Sequence, residues 1–154
     1  MATLYLSLGT NLGDRRSNLE TALTLIGQRI GTVEAVSDIM ETEPWGFDSS
    51  NRFLNLTAKV MTDLKPLDIL KITKKIEKGM GRTSKTGTGD YQDRIIDIDL
   101  LMYDELVMES PDLTIPHRLM HKRRFVLEPL VEIAPELEHP LLHKKISQLL
   151  NDIQ

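Results

Sequence analysis

Residues 94–102 read Arg-Ile-Ile-Asp-Ile-Asp-Leu-Leu-Met, an apolar, β-prone run interrupted by two carboxylates spaced two apart. Successive side chains on a strand point to opposite faces, so Asp97 and Asp99 project together from one face. Ile96, Ile98, Leu100 and Met102 then point the other way, into a core. Such a segment demands a sheet with one apolar face and one face where two like charges stand side by side. Those charges repel unless something positive sits between them. A hard divalent cation such as Mg2+, which takes oxygen ligands and bridges to phosphate, is the economical candidate. Alone, Asp-x-Asp is short and common, and a solvated strand edge is the readier reading. Two features add weight: Arg94, three residues before Asp97, and a basic, His-containing segment about twenty residues later.

The rest of the chain supplies that sheet and its cover. Leu4, Leu6 and Leu8 alternate with Thr3, Tyr5 and Ser7 as in a half-buried strand. Gly9-Thr-Asn-Leu-Gly13 reads as a turn, and Asp14 as the cap of a helix whose stripe is Leu19, Ala22, Leu23, Ile26 and Ile30, closed by Gly31. A weaker strand pattern covers 33–41, and 42–51 is too rich in turn formers to be regular. Residues 53–61 alternate again, with Leu54, Leu56, Ala58 and Val60 on one face and Phe53, Asn55 and Thr57 on the other. Pro66 suits the first turn of a helix continued by Ile69, Ile72 and Ile76 to Gly79. The glycine-rich 79–89 reads as a loop, 106–108 as a short strand, 116–124 as basic and irregular, and 146–150 as a short helix.

Interleaved helices and strands, with some strands adjacent in sequence, predict an α+β sandwich: helices on one face of a mostly antiparallel sheet, the other face partly open. The length of 154 residues fits a single domain over 1–154. A formal charge of −4 argues against broad nucleic-acid binding. The absence of cysteine excludes disulfides, thiolate catalysis and zinc-thiolate sites. No apolar run approaches the roughly 20 residues of a membrane span, and the N-terminus lacks a signal-peptide layout, so a cytoplasmic location is expected.

Several groupings bear on chemistry. Gly9-Thr-Asn-Leu-Gly13 lacks the Gly-Lys-Ser/Thr ending of a phosphate loop and reads better as a structural turn. Lys71, Lys74, Lys75, Lys78, Arg82 and Lys85 line a helix and the loop after it, and the helix lysines read as solvated surface. His117, Arg118, His121, Lys122, Arg123 and Arg124 crowd six basic or imidazole groups into eight residues, which repel unless an anion such as a polyphosphate lies nearby. Arg82 and Arg94 flank the loop, whose closure would bring guanidinium groups onto a transferring phosphoryl. Phe53 and Asn55 share a strand face, an aromatic and an amide suited to a flat heterocycle, and Phe125 offers a second wall. The plainer reading of Phe53 is packing under the preceding loop.

Taken together, Arg94-x-x-Asp97-Ile-Asp99-Leu-Leu, Leu113-Thr-Ile-Pro-His117 and Arg123-Arg-Phe125 closely resemble the 6-hydroxymethyl-7,8-dihydropterin pyrophosphokinases of folate biosynthesis. Leu8-Gly-Thr-Asn-Leu-Gly13, Glu41-Thr-Glu-Pro-Trp-Gly46 with Phe53-Leu-Asn55, Glu128-Pro-Leu and Glu132-Ile-Ala-Pro-Glu136 extend the likeness over nearly the whole chain. The resemblance implies a ferredoxin-like α/β sandwich and transfer of pyrophosphate from ATP to the pterin hydroxymethyl group, releasing AMP. It implies that Asp97 and Asp99 hold two Mg2+ ions and that Arg82 and Arg94 stabilise charge during transfer. Lys74, Glu77, Tyr91, His117 and Arg123 fall on the nucleotide side. Phe53 and Phe125 would sandwich the pterin, with Asn55 and the Thr42 region reading its edge and Pro44 and Gly46 in the same loop. The partners expected are small molecules, without nucleic acid or membrane, on a monomer. Tyr91-Gln92-Asp93 departs from the family's usual Trp-Gly-Pro before Arg94, and Phe53 replaces a frequent tyrosine, keeping the stack and losing a hydroxyl. Two other classes share parts of the pattern. A metal-dependent phosphodiesterase would use the carboxylates without the aromatic slot. An RNA-binding module on the same fold would need basic surface and an aromatic-rich central strand.

Overall fold

The alternating leucines of the N-terminus lie in the middle of a sheet, where both faces are covered for most of their length. In the computed structural model, which describes residues 1–43, 52–81 and 95–153, β1 (Ala2–Thr10) is followed by α1 (Arg15–Arg29), β2 (Thr32–Val36), β3 (Met40–Thr42) and β4 (Phe53–Thr62). Then come α2 (Pro66–Gly79), β5 (Asp97–Tyr103), β6 (Met108–Glu109) and β7 (Thr114–Ile115). A 3-10 turn (Met120–Lys122) leads into α3 (Arg124–Ile133), and α4 (Ile146–Asp152) ends the chain. The main sheet has the order β2-β4-β1-β5, with β3 also on β4, and every pairing is antiparallel. β6 and β7 form a separate ribbon. No helix among the described residues is long and apolar enough to cross a membrane.

One face is the expected core. Leu4, Leu6, Leu8, Leu54, Leu56, Ala58, Val60, Ile96, Ile98 and Leu100 pack with Leu19, Ala22 and Ile26 of α1 and Ile69 and Ile76 of α2. Each large side chain so buried contributes about 1.5–3 kcal/mol. Local signals set the helix boundaries. Asp14 Oδ1 accepts the Ser17 N–H at 3.1 Å, and Pro66 occupies the first turn of α2. Gly31 follows α1 where the chain grazes β4: a Cβ there would lie 2.1 Å from the Met61 carbonyl oxygen.

Expectations change at several points. Gly9 is not in a turn, because β1 continues through Thr10. The weak pattern over 33–41 divides into β2 and β3 at Ser37, whose Oγ accepts the Thr57 N–H at 2.9 Å and donates to the Asp38 carbonyl at 2.9 Å. Met102 does not share the core face of Ile98. Leu6 pairs with Leu100 but Tyr5 pairs with Met102, leaving Leu101 as an extra residue that reverses the parity of the strand. Met102 therefore joins Tyr5, Leu101, Met120, Val126, Leu127, Leu130, Ile146 and Leu149 in a second core on the opposite face. That core is roofed by α3, a helix outside the sequence expectations, which carries Pro129 inside it although proline usually breaks helices.

Candidate active site

The register of three strands brings the polar residues into two rows on one face. Gly9 of β1 lies opposite Asn55 of β4 and Asp97 of β5, and Ser7 lies opposite Thr57 and Asp99. Directly opposed residues project to the same side, so the carboxylate pair and the amide stand at the two edges of one polar field. Thr42 pairs with Phe53 at the amide edge. Asn55 Nδ2 donates to Thr42 Oγ1 at 2.8 Å, which sets the amide's orientation. The bulge at Leu101 ends this field and begins the second core.

β5 is an outer strand, and its free edge is satisfied by side chains and loop backbone. Glu77 of α2 is buried, and its Oε2 accepts the Ile98 N–H, between the two aspartates, at 2.7 Å. The His117 N–H donates to the Leu101 carbonyl at 2.9 Å. His117 Nδ1 accepts the Leu119 N–H at 3.1 Å, so in the neutral ring the proton resides on Nε2, which lies 3.9 Å from Asp99 Oδ2. Burial, chiefly, and the nearby Arg123 push the imidazole down to about 4, against the pull of Asp97; Arg118 adds to the depression. At neutral pH His117 is an uncharged N–H donor, not a cation.

A cleft of about 410 Å3 joins these groups. Its walls include Lys74, Glu77, Asp97, Asp99, Asp112, His117, Arg118 and Arg123. Among the described residues four carboxylates and three fixed cations line the cleft, and a divalent cation would offset the charge of the carboxylates beside a polyphosphate. Asp97 and Asp99 offer hard oxygens on one face, the donor type Mg2+ takes; among the described residues no group of three or more His, Cys, Asp or Glu side chains is arranged to hold a metal ion. Two carboxylates leave most of an octahedral shell to water and phosphate, as Mg2+ prefers.

The basic segment divides. His117, Arg118 and Arg123 line the cleft. His121 instead faces His139, ring centroids 6.3 Å apart, and Arg124 Nε donates to Glu128 Oε2 at 3.0 Å. The expected sixfold crowding is relieved by separation, because the 3-10 turn and the start of α3 send neighbouring side chains in different directions. Arg123 is buried, with its guanidinium carbon 5.5 Å from the centre of the Phe125 ring, a cation–π contact. Phe125 packs against the second core and Phe53 lies beside Gly9. Arg82, Tyr91, Arg94, Pro44 and Gly46 fall outside the described residues. Two site features escaped the sequence reading: the role of Thr42 through its hydroxyl, and the place of Gly9 between amide and carboxylate. A glycine inside a strand pattern signals close approach, which was the available clue for the second.

Comparison with known proteins adds independent findings. Residues 5–135 match the model of the 7,8-dihydro-6-hydroxymethylpterin-pyrophosphokinase (HPPK) family. A Porphyromonas gingivalis protein named 2-amino-4-hydroxy-6-hydroxymethyldihydropteridine pyrophosphokinase is 49% identical over 141 residues, covering 91% of this chain and 95% of that one. Its Aquifex aeolicus namesake is 38% identical over 148 residues, covering 96% and 90%. Among solved structures, a Plasmodium falciparum HPPK-DHPS chain with pteroate superposes with a TM-score of 0.81 at 20% identity, a likeness of fold. The present chain is covered to 98% and spans 44% of that longer one.

Proposed function

The chain belongs to the 7,8-dihydro-6-hydroxymethylpterin-pyrophosphokinase family and is a pyrophosphokinase of folate biosynthesis acting on the hydroxymethyldihydropterin, and we propose that it uses MgATP as donor and releases AMP at the face shared by β1, β4 and β5. The observation that carries this reading is the polar field itself, which sets an amide beside an aromatic ring at one edge and a carboxylate pair at the other.

In the proposed reaction the pterin lies against Phe53 with its polar edge toward Asn55, whose amide is oriented by Thr42. Phe125 supplies a second wall. The triphosphate occupies the cleft between α2 and the 117–123 segment, with Lys74 and Arg123 as fixed cations and His117 Nε2–H as a neutral donor. Neutrality suits His117, since a donor without charge binds phosphate oxygen and does not trap Asp99 in an ion pair. Asp97 and Asp99 would hold Mg2+, which when bound screens the donor and lowers the proton affinity of the attacking hydroxyl. The hydroxyl oxygen attacks the β-phosphorus in line with the departing α-phosphate oxygen. Charge neutralisation and alignment therefore dominate over side-chain acid–base chemistry. Glu77 contributes at one remove, by holding the Ile98 peptide and hence the spacing of the carboxylates. Arg82 and Arg94 are assigned to charge stabilisation during transfer, and Tyr91 to the nucleotide side. The chain is read as one domain acting as a cytoplasmic monomer.

The deciding experiment is incubation with MgATP and 6-hydroxymethyl-7,8-dihydropterin followed by nucleotide chromatography. AMP in step with pterin diphosphate is expected. Release of ADP, or nucleotide cleavage that does not need the pterin, would overturn the proposed donor chemistry.

A further inference from the structure

We infer that Gly9 is a specificity-determining residue: by presenting no side chain at the centre of the sheet it sets the depth and length of the pterin slot. The inference rests on the assignment of Phe53 and Asn55 to the pterin. Gly9 is the cross-strand partner of both Asn55 and Asp97. The reading amide and the nearer carboxylate therefore stand two strand spacings apart, roughly 9.5 Å, with only Gly9 between them. That gap matches a fused bicyclic ring whose one-carbon arm reaches the carboxylates.

The space above Gly9 is already claimed by the site. A Cβ on Gly9 would lie 3.0 Å from Asn55 Oδ1 and 3.5 Å from Phe53 Cδ1. Asn55 has little room to retreat, because it is 3% exposed and its Nδ2 is held by Thr42. Backbone conformation does not explain the glycine. Positive φ angles among the described glycines occur at Gly13 and Gly81, and Gly9 has ordinary strand geometry. Nor does backbone packing explain it. At Gly31 the obstacle is a main-chain carbonyl, whereas at Gly9 it is the side-chain oxygen of Asn55, a residue assigned to the substrate. A glycine within a strand gives up side-chain packing and conformational restriction, and here, one residue from the end of β1, what is gained is a clear floor. A methyl group would press on the amide oxygen, turning the amide by a few tenths of an ångström, and would fill the floor beside the Phe53 ring.

Gly9→Ala tests this beside Asn55→Ala. Binding of the pterin in the presence of a non-hydrolysable MgATP analogue, binding of the analogue alone, and thermal unfolding are measured for each. Gly9→Ala is expected to fold but to melt somewhat below the wild-type temperature, because the methyl crowds a buried amide. It should hold the nucleotide within about twofold and lose about tenfold or more in pterin affinity, with KM for pterin rising more than kcat falls. A folded Gly9→Ala with wild-type pterin affinity, or with equal losses for both ligands, overturns the inference. If Asn55→Ala also leaves pterin affinity intact, the slot assignment itself is wrong. If only Asn55→Ala weakens binding, the slot stands and Gly9 has no part in it. Should Gly9→Ala fold poorly, Gly9→Ala/Asn55→Ala is compared with Asn55→Ala, where the amide oxygen no longer opposes the methyl. The added methyl must still weaken pterin binding, and equal affinities overturn the inference.

Discussion

Two halves of one sheet face differ in kind, and a single inserted residue divides them. On one side of Leu101 the face presents Ser7, Gly9, Asn55, Thr57, Asp97 and Asp99. On the other it presents Tyr5, Leu101 and Met102, sealed under α3 and α4. The β1–β4 ladder runs unbroken through both, whereas the β1–β5 ladder shifts register between Tyr5 and Leu6. The apolar half gains stability by burial, whereas the polar half spends part of it: Thr57 Oγ1 is buried without a hydrogen-bond partner among the described residues. The difference teaches that this sheet tolerates a polar patch with two carboxylates because the adjoining half and the reverse face are apolar cores.

The comparison breaks most visibly at Asp97. Asp97→Ala should lower the rate of AMP formation on the order of a thousandfold or more, since it removes half of the carboxylate pair. Its unfolding midpoint should stay at or above wild type, because a like-charge repulsion disappears. A mutant that turns over normally, or one that unfolds early, would contradict the division of labour. Met102→Ala is the mirror experiment. It should cost about 2–5 kcal/mol in denaturant unfolding, as buried Met-to-Ala changes do, with the activity per folded molecule largely kept.

Smaller effects sharpen the boundary. Thr57→Val removes the orphaned hydroxyl at nearly constant shape and should raise stability by about 1 kcal/mol. A fall of similar size would mean that a buried water serves the hydroxyl. The last prediction concerns pH and the loop that closes the apolar half. His139 Nδ1 accepts the N–H groups of Leu141 and Leu142 at 3.2 and 3.1 Å. Burial first, then His121 and His143, hold the imidazole below its ordinary value. A base with a depressed folded value gives stability that is full above the ordinary imidazole range, about 6.5, and is lost as pH falls below it. His139→Asn keeps an acceptor without the titration, so its stability should decline less than wild type between about pH 7 and 5. Parallel declines would remove His139 from the acid sensitivity.

Much of this was legible locally. The leucine alternation of β1, the cap at Asp14, the Pro66 helix start and the shared face of Asp97 and Asp99 depend on contacts within a few residues, and each appears in the structure as read. What went unread involved partners far along the chain. No expectation covered 125–133, where a helix forms around Pro129 because Val126, Leu127 and Leu130 find the second core. The six basic groups of 117–124 looked like one anion site, yet spatial direction divides them and burial makes His117 neutral. Gly9 passed for a turn because nothing near it in sequence hints at Asn55 or Asp97.

The sequence alone determined that two carboxylates would stand together on one face of a strand, because the period of two is a property of the backbone and needs no partner. It also carried the family likeness that says which reaction they serve. Only the tertiary structure decided what lies across from them: Gly9 and then Asn55 in one row, Ser7 and Thr57 in the next, with the field ended by the Leu101 bulge. Register and bulges arise from pairing between distant segments, where one residue of slip exchanges the faces of a strand, and no local pattern encodes that choice.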